Sequence, residues 1–298
     1  MKIKVKVPAS TANLGAGFDT LGIALSLYNE IYLEESDKDE IITIPKIEEF
    51  ENPENNLFFK VFKETLKANG ENERKFKVKQ IVNIPVSRGL GSSASVIVAG
   101  IVAGHRVLNK ELSDEDFFKI AYKFENHPDN LLPAFKGGFI TALKEGEETY
   151  YQKLYFPDEL KFIVVIPDLE LSTEEARKVL PKTIPLKDAV FNLQRVALFI
   201  SALQNKNFDL LKVAMEDKLH QPYREKLIPN FYKVITNAYR EGALGVSLSG
   251  AGSSIVAISN RNFEKIGEAM KEALSEVGIN SECKILEIDK KGVQIEEL

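Results

Sequence analysis

Polar and apolar residues alternate along residues 3 to 7, with Ile3, Val5 and Val7 on one face, and that period of two predicts a strand. Pro8, which has no N–H to give a ladder, is expected to end it. A polar loop carrying Ser10, Thr11, Asn13, Gly15, Gly17 and Asp19 follows, and residues 21 to 34 resume an apolar pattern typical of a second strand. From Asn55 to Ala68 apolar residues recur at helical spacing, with Leu57, Phe58, Val61, Phe62 and Leu66 on one stripe, which predicts a helix packed on a sheet. Residues 76 to 84 alternate again as a strand, and the turn Pro85 to Gly91 leads straight into an apolar helix beginning near Ser92.

A further helix is predicted from Ser113 to Phe124, where Ser113 followed by Asp116 resembles a capping pattern. Residues 138 to 143 and 149 to 155 read as strands, and the polar stretch Lys144 to Thr149 between them is the nearest approach to a boundary. The pattern restarts after Lys161 with the strand FIVVI, two or three helices up to about Asp217, and a helix from Pro229 to Glu241. Two strands flanking Gly250 and Gly252, a helix near Phe263 to Val277 and terminal strands complete the chain. Strands and helices mix without a strict βαβ rhythm, so the expected class is α+β, in two domains spanning residues 1–155 and 156–298.

The 298 residues are 44% hydrophobic and 28% charged with a formal charge of −5, an ordinary globular composition that removes collagen-like, low-complexity and largely disordered readings. The acidic balance argues against a whole-surface nucleic-acid binder, which needs a concentrated positive face. The single cysteine, Cys283, allows neither an intrachain disulfide nor a multi-cysteine zinc cluster and fits a reducing cytoplasm. The start MKIKVKVPAS lacks the apolar core of a secretory signal, and the longest apolar run, Ala94 to Gly104, is too short to cross about 30 Å of hydrocarbon as a helix. A cytoplasmic protein without nucleic-acid or membrane partners is expected.

The strongest chemical feature is Pro85-Val86-Ser87-Arg88-Gly89-Leu90-Gly91-Ser92-Ser93-Ala94-Ser95 between a strand and a helix. Its glycines let backbone approach a ligand, and the first amides of the helix lack intrahelical acceptors at the positive end of the dipole, which suits phosphate. A P-loop is ruled out because Gly91 is followed by Ser92 and not by lysine. Glu125-Asn-His-Pro-Asp-Asn130 crowds two carboxylates and an imidazole near a proline turn, where Glu125 suits Mg²⁺ and Asp129 suits substrate. Ser247 to Ser254, with Gly250 and Gly252, could close over a ligand or form a plain hairpin. Asn13-Leu-Gly-Ala-Gly-Phe-Asp19 alone reads as a surface turn.

Together these segments resemble the GHMP kinase superfamily, and within it the branch that phosphorylates L-homoserine. Val7 to Asp19 is similar to the first motif, residues 85 to 95 to the phosphate loop, Glu125 to Asn130 to the segment in between, and Ser249-Gly-Ala-Gly252 to the third motif. Other members commonly carry a lysine in the first motif, whereas this chain reads Ser10-Thr11-Ala12-Asn13. The resemblance implies an N-terminal domain like domain 2 of ribosomal protein S5, a ferredoxin-like C-terminal domain, and ATP between them. It implies direct, Mg²⁺-assisted transfer of the γ-phosphoryl group to the hydroxyl of L-homoserine in threonine biosynthesis, by a homodimer. By the same resemblance, residues 85 to 95 wrap the phosphates, Asn56 lies near the nucleotide, and Ser93 (or Ser92) with Glu125 holds Mg²⁺. Asn13 and Asp19 contact the polar end of the substrate, Asp129 its reacting hydroxyl, and Arg177 and Arg224 its carboxylate, for which a planar guanidinium fork is suited.

Asp129, Glu125 and Ser93 are thus the catalytic candidates. With an unperturbed pKa of about 3.9, Asp129 is expected to position the hydroxyl more than to take its proton. By itself, Arg177 reads as a surface partner of Glu174. Two other functions compete: phosphorylation of another small alcohol such as mevalonate, and a non-catalytic nucleotide- or RNA-binding module.

Overall fold

A computed structural model describes all 298 residues. The strands are β1 (Lys2–Asn13), β2 (Gly17–Ser36), β3 (Glu40–Ile44), β4 (Lys75–Ile81), β5 (Phe139–Glu145), β6 (Glu148–Leu154), β7 (Lys161–Pro167), β8 (Gly245–Leu248), β9 (Ile255–Ser259), β10 (Ser281–Leu286) and β11 (Gln294–Glu297). The helices are α1 (Leu57–Ala68), α2 (Ser92–Val107), α3 (Asp114–Ala121), α4 (Pro128–Lys136), α5 (Thr173–Lys178), α6 (Leu186–Gln204), α7 (Leu211–Ala214), α8 (Gln221–Arg224), α9 (Phe231–Arg240) and α10 (Phe263–Ser275).

The first sheet runs β11-β1-β2-β4-β3, with β5 paired to the start of β2 and β6 beyond it. Its inner face, Val5, Val7, Ile31 and Val78, packs on Phe58, Phe62, Ile97, Ile101 and Phe117 from α1, α2 and α3. The second sheet, β10-β7-β9-β8, is antiparallel and places the four strands of the C-terminal half in the order 4-1-3-2, the ferredoxin-like arrangement. A second core, including Leu14, Leu21, Phe139, Phe162, Phe199 and Val256, joins the two halves, so the site between them is floored by continuous packing. The far face of the second sheet is covered by α9 and α10 through Val234, Ile266 and Met270.

Several local expectations change. Pro8 does not end β1: the register shifts between Pro8 and Ala9, a bulge that absorbs the missing N–H, and Ser10 and Thr11 continue the strand. Lys144 to Thr149 is the turn of the β5–β6 hairpin and not a boundary. The last strand, β11, returns to pair with β1 in the first sheet. Two elements had no clear periodic signal. In β3 burial alternates, with Ile41 and Thr43 inside and Ile42 and Ile44 facing solvent, but apolar residues stand on both faces and the sequence carries no polar–apolar alternation. In α4, Pro128 occupies the first turn and Pro133 lies inside the helix. Pro133 cannot donate to the carbonyl of Asp129, and that oxygen packs on Gly22, where a Cβ would fall 1.8 Å from it.

Candidate active site

A cavity of about 300 Å³ opens where the phosphate loop meets the segment after β8. One wall is Phe50, Asn56, Leu57, Gln80 and Val82; the other is Leu171 to Thr173 and Gly250 to Gly252. The loop is held by its backbone. Leu90 O accepts from Ser10 N at 3.1 Å, Arg88 O from Ser254 N at 3.1 Å, and Gly89 O from Ser249 Oγ at 2.7 Å. Gly89 has φ +75, and a Cβ there would lie 2.1 Å from the Ser249 carbonyl oxygen, so only glycine fits. Gly91, at φ 67, caps α2 without a side chain, leaving the N–H groups of its first turn without intrahelical acceptors. First and third motifs therefore clamp the phosphate loop from both sides.

The side chains of the loop separate into two groups. Ser92 Oγ donates to Ile84 O at 3.2 Å, and Ser95 is fully buried, accepting from Asn29 Nδ2 at 2.9 Å and donating to Ser92 O at 2.7 Å. Ser93, by contrast, is exposed and lines the cavity with no protein partner for its hydroxyl. Arg88 turns its guanidinium to the Pro167 and Val86 carbonyls and to Asp168 and Glu170, away from the first turn of α2. Asn56 caps α1: its Oδ1 accepts from Phe59 N at 3.1 Å, and its Nδ2 donates to Phe50 O at 2.9 Å and lies 3.3 Å from Gln80 Oε1. It builds the wall of the cavity with its polar atoms already bonded.

A narrower cleft of about 50 Å³ adjoins this cavity, and Glu125, Asn130, Thr173, Gly250 and Ala251 line both. The cleft gathers Asn13, Asp19, Glu125, Asp129, Arg177 and Arg224. Asn13 is scaffold as well as lining, since its Nδ2 donates to Gly250 O at 2.9 Å and its Oδ1 accepts from Asp19 N at 3.0 Å. Arg177 does not pair with Glu174, which bonds Lys178; it forks onto Asp19 at 2.7 and 3.2 Å, while its Nε is buried without a partner. Arg224 is 1% exposed, with Nε bonded to Ala176 O and Nη1 to Gly250 O, each at 3.0 Å. Burial, followed by the charge of Arg177, pushes Arg224 down to about 10, which leaves it charged at neutral pH.

Glu125 accepts the backbone N–H of His127 at 3.1 Å, and the same Oε1 lies 2.9 Å from His127 Nδ1. Burial raises this carboxyl, but the bonds from His127 outweigh it and hold Glu125 below its ordinary range. Its Oε2 is left without a protein partner. Asp129 lies in the first turn of α4, buried, with only a 3.5 Å contact from Asn130 Nδ2. Burial, then the nearby charge of Asp19, pushes Asp129 up to about 7, so it does not behave as an ordinary exposed aspartate. Thr173 and Phe18 were missed from the sequence. Thr173 sits beside the Ser172–Glu175 capping box, a signal that reads only as a helix start; Phe18 lies 5.5 and 5.3 Å from the guanidinium carbons of Arg177 and Arg224.

Residues 56–138 match the model of the GHMP kinases N terminal domain, and residues 199–276 that of the GHMP kinases C terminal. The chain is similar to the homoserine kinase of Persephonella marina, 62% identical over 99% of both chains, and to that of Aquifex aeolicus, 46% identical over 98% of this chain and 99% of the other. Among solved structures it resembles homoserine kinase from Cytophaga hutchinsonii, with a TM-score of 0.89, 31% identity, and 99% and 97% of the two chains covered. The L. major mevalonate kinase in complex with R-mevalonate shares the fold, at a TM-score of 0.75 and 18% identity over 96% of each chain.

Proposed function

The chain belongs to the GHMP kinases, and from that premise we propose that its larger cavity seats ATP and its narrow cleft seats L-homoserine. The reaction is the ATP-dependent phosphorylation of L-homoserine to O-phospho-L-homoserine, a step of threonine biosynthesis. The observation that carries the site assignment is the shared wall: Glu125, Asn130, Thr173, Gly250 and Ala251 border both spaces, so a triphosphate laid on the first turn of α2 ends at the mouth of the cleft.

The cleft holds both signs of charge, as a zwitterion needs. Arg177 and Asp19 are paired directly in its lining, and the entering amino acid exchanges that pair for two: its ammonium takes Asp19, and its carboxylate takes Arg177 and Arg224. The carboxylate and ammonium then fix the direction of the side chain, whose hydroxyl meets Asp129. An aspartate at about 7 both orients that hydroxyl and accepts its proton as the new O–P bond forms, a better matched acceptor than an ordinary carboxylate. The terminal phosphoryl group moves directly to the alcohol oxygen, with ADP leaving and no covalent link to the protein.

The residues fit Mg²⁺. Ser93 and Glu125 each offer an unpartnered oxygen to the cavity, a donor pair matched to a hard ion that keeps water and phosphate oxygens as its other ligands. Ser93 is favoured over Ser92, whose hydroxyl is engaged with Ile84 O. When bound, Mg²⁺ supplies charge neutralisation on the phosphate oxygens. The proposal extends to a cytoplasmic homodimer, which sedimentation at micromolar concentration tests. No helix is long and apolar enough to cross a membrane. A coupled ADP-release assay over homoserine, serine, threonine, mevalonate and galactose tests the cleft: homoserine is expected to dominate, and equal turnover of mevalonate, which has no ammonium for Asp19, would remove the zwitterion assignment.

A further inference from the structure

Behind Arg224, outside both cavities, lies an imidazole that the phosphoryl transfer does not use. His220 is fully buried, and its ring stacks on Phe18 with centroids 5.0 Å apart. Its Nε2 lies 2.8 Å from the carbonyl oxygen of Gly15, which can only accept, so Nε2 carries a hydrogen. Its Nδ1 lies 3.3 Å from Arg224 Nη1, which can only donate. Both contacts are satisfied by one state alone, the neutral ring with hydrogen on Nε2 and a lone pair on Nδ1. A charged ring or the other tautomer would set N–H against N–H. Burial foremost, together with the Arg224 charge, holds the imidazole below its ordinary range despite Asp217, whose Oδ2 is 3.5 Å from Nε2, the Gly15 carbonyl and the more distant Asp19.

The backbone carrying this ring is fixed in turn. The buried carboxylate of Asp217 accepts from the N–H groups of Leu219, His220 and Gln221 at 2.9, 2.9 and 2.7 Å, and from Asn192 Nδ2 at 2.7 Å. With Nε bonded to Ala176 O and Nη1 shared between Gly250 O and His220 Nδ1, Nη2 is the guanidinium nitrogen of Arg224 left without a protein partner.

We infer that His220 is a positioning residue for substrate recognition: it accepts from Arg224 Nη1 and so fixes the guanidinium with Nη2 free for the carboxylate of homoserine. This rests on the assignment of Arg224 to that carboxylate. Arginine in an unfilled pocket has many rotamers, and a buried acceptor on the face remote from the ligand selects one before binding.

Two amide replacements separate the functions of the ring, because Asn places an amide oxygen near the position of Nδ1 and Gln places an amide N–H near that of Nε2. In His220→Asn the KM for homoserine is expected within about threefold of the parent, whereas His220→Gln and His220→Leu raise it roughly tenfold or more, the effect of losing one hydrogen bond to a charged group. The KM for ATP stays nearly constant in all three. The reverse order, with Gln near the parent and Asn impaired, would assign the ring to packing and to Gly15 and overturn the inference, as would equal constants in every variant. Nitrogen NMR on the unsubstituted protein with labelled imidazoles needs no substitution to fold. At a mildly alkaline pH it should find His220 neutral and protonated on Nε2, and a charged ring or a hydrogen on Nδ1 there overturns the inference. Arg224→Lys separates the two readings. An unchanged homoserine KM there removes the carboxylate assignment itself, while a raised one beside inert His220 variants removes only the role of His220.

Discussion

Replacing Asp129 by asparagine tests stability and chemistry through the same buried group. Its carboxyl rises from 3.8 to about 7 in the fold, chiefly because it is buried and secondly because Asp19 is near. A carboxyl that holds its proton more tightly when folded costs stability as pH climbs through the interval between the two values, and the full cost remains above the upper one. Taken as 7 minus 3.8, the interval of 3.2 units corresponds to an upper figure of roughly 4 kcal/mol at about 1.36 kcal/mol per unit. Asparagine has nearly the same shape and no charge to bury. Urea unfolding should therefore find Asp129→Asn more stable than the parent by roughly 2 to 4 kcal/mol at about pH 8, with most of the gain gone near pH 4.5. A difference independent of pH would show that Asp129 is not held protonated by the fold. In the kinetic arm, kcat should fall roughly 100-fold or more, and the acid limb of the parent's kcat/KM profile near pH 7 should vanish in the variant. Loss of kcat with no such limb in the parent would leave Asp129 an orienting group that takes no proton.

Arg224→Ala should raise the KM for homoserine roughly 100-fold while moving that for ATP little, because a buried charge pair with the substrate is lost; an unchanged homoserine KM would remove the assignment. Gly89→Ala should weaken ATP far more than homoserine and lower the thermal midpoint, since the new Cβ meets the Ser249 carbonyl at 2.1 Å and strains a backbone at φ +75. Unaltered ATP affinity there would mean that the loop can shift without consequence. Ser93→Ala should raise the Mg²⁺ concentration for half-maximal rate by roughly tenfold, whereas Ser92→Ala, whose hydroxyl bonds Ile84 O, should chiefly reduce stability. Equal Mg²⁺ dependence in the two variants would reassign the ligand.

The strand, glycine turn and helix around residues 85 to 95 were legible in the sequence because their physics is local. A strand, a turn with Gly89 and Gly91, and the first turn of α2 are contiguous, so the unpaired N–H groups follow from chain order alone. The helices α1 and α3 were legible for the same reason, their stripes and caps lying within one segment. What this segment-by-segment physics left open was filled at the sequence level by resemblance, which supplied roles for Asn13, Asp19, Arg177 and Arg224 but not their arrangement.

That arrangement belongs to tertiary structure. Arg177 meets Asp19 from 158 residues away and not its helical neighbour Glu174, and Ser249 reaches Gly89 across 160 residues to lock the loop. The same holds for backbone: Pro8 lies inside β1 at a register shift that only its pairing with β2 defines, and the Asp129 carbonyl, to which Pro133 has no N–H to give, packs on Gly22 of β2. The sequence by itself determined which segments become strands and helices wherever one apolar period persists, and where a helix opens with its first amides uncapped. Only the tertiary structure decided which serine keeps a free hydroxyl, where each guanidinium points and how strongly Asp129 holds its proton, because bonding to distant partners, burial and the field of distant charges exist only once the chain has closed on itself.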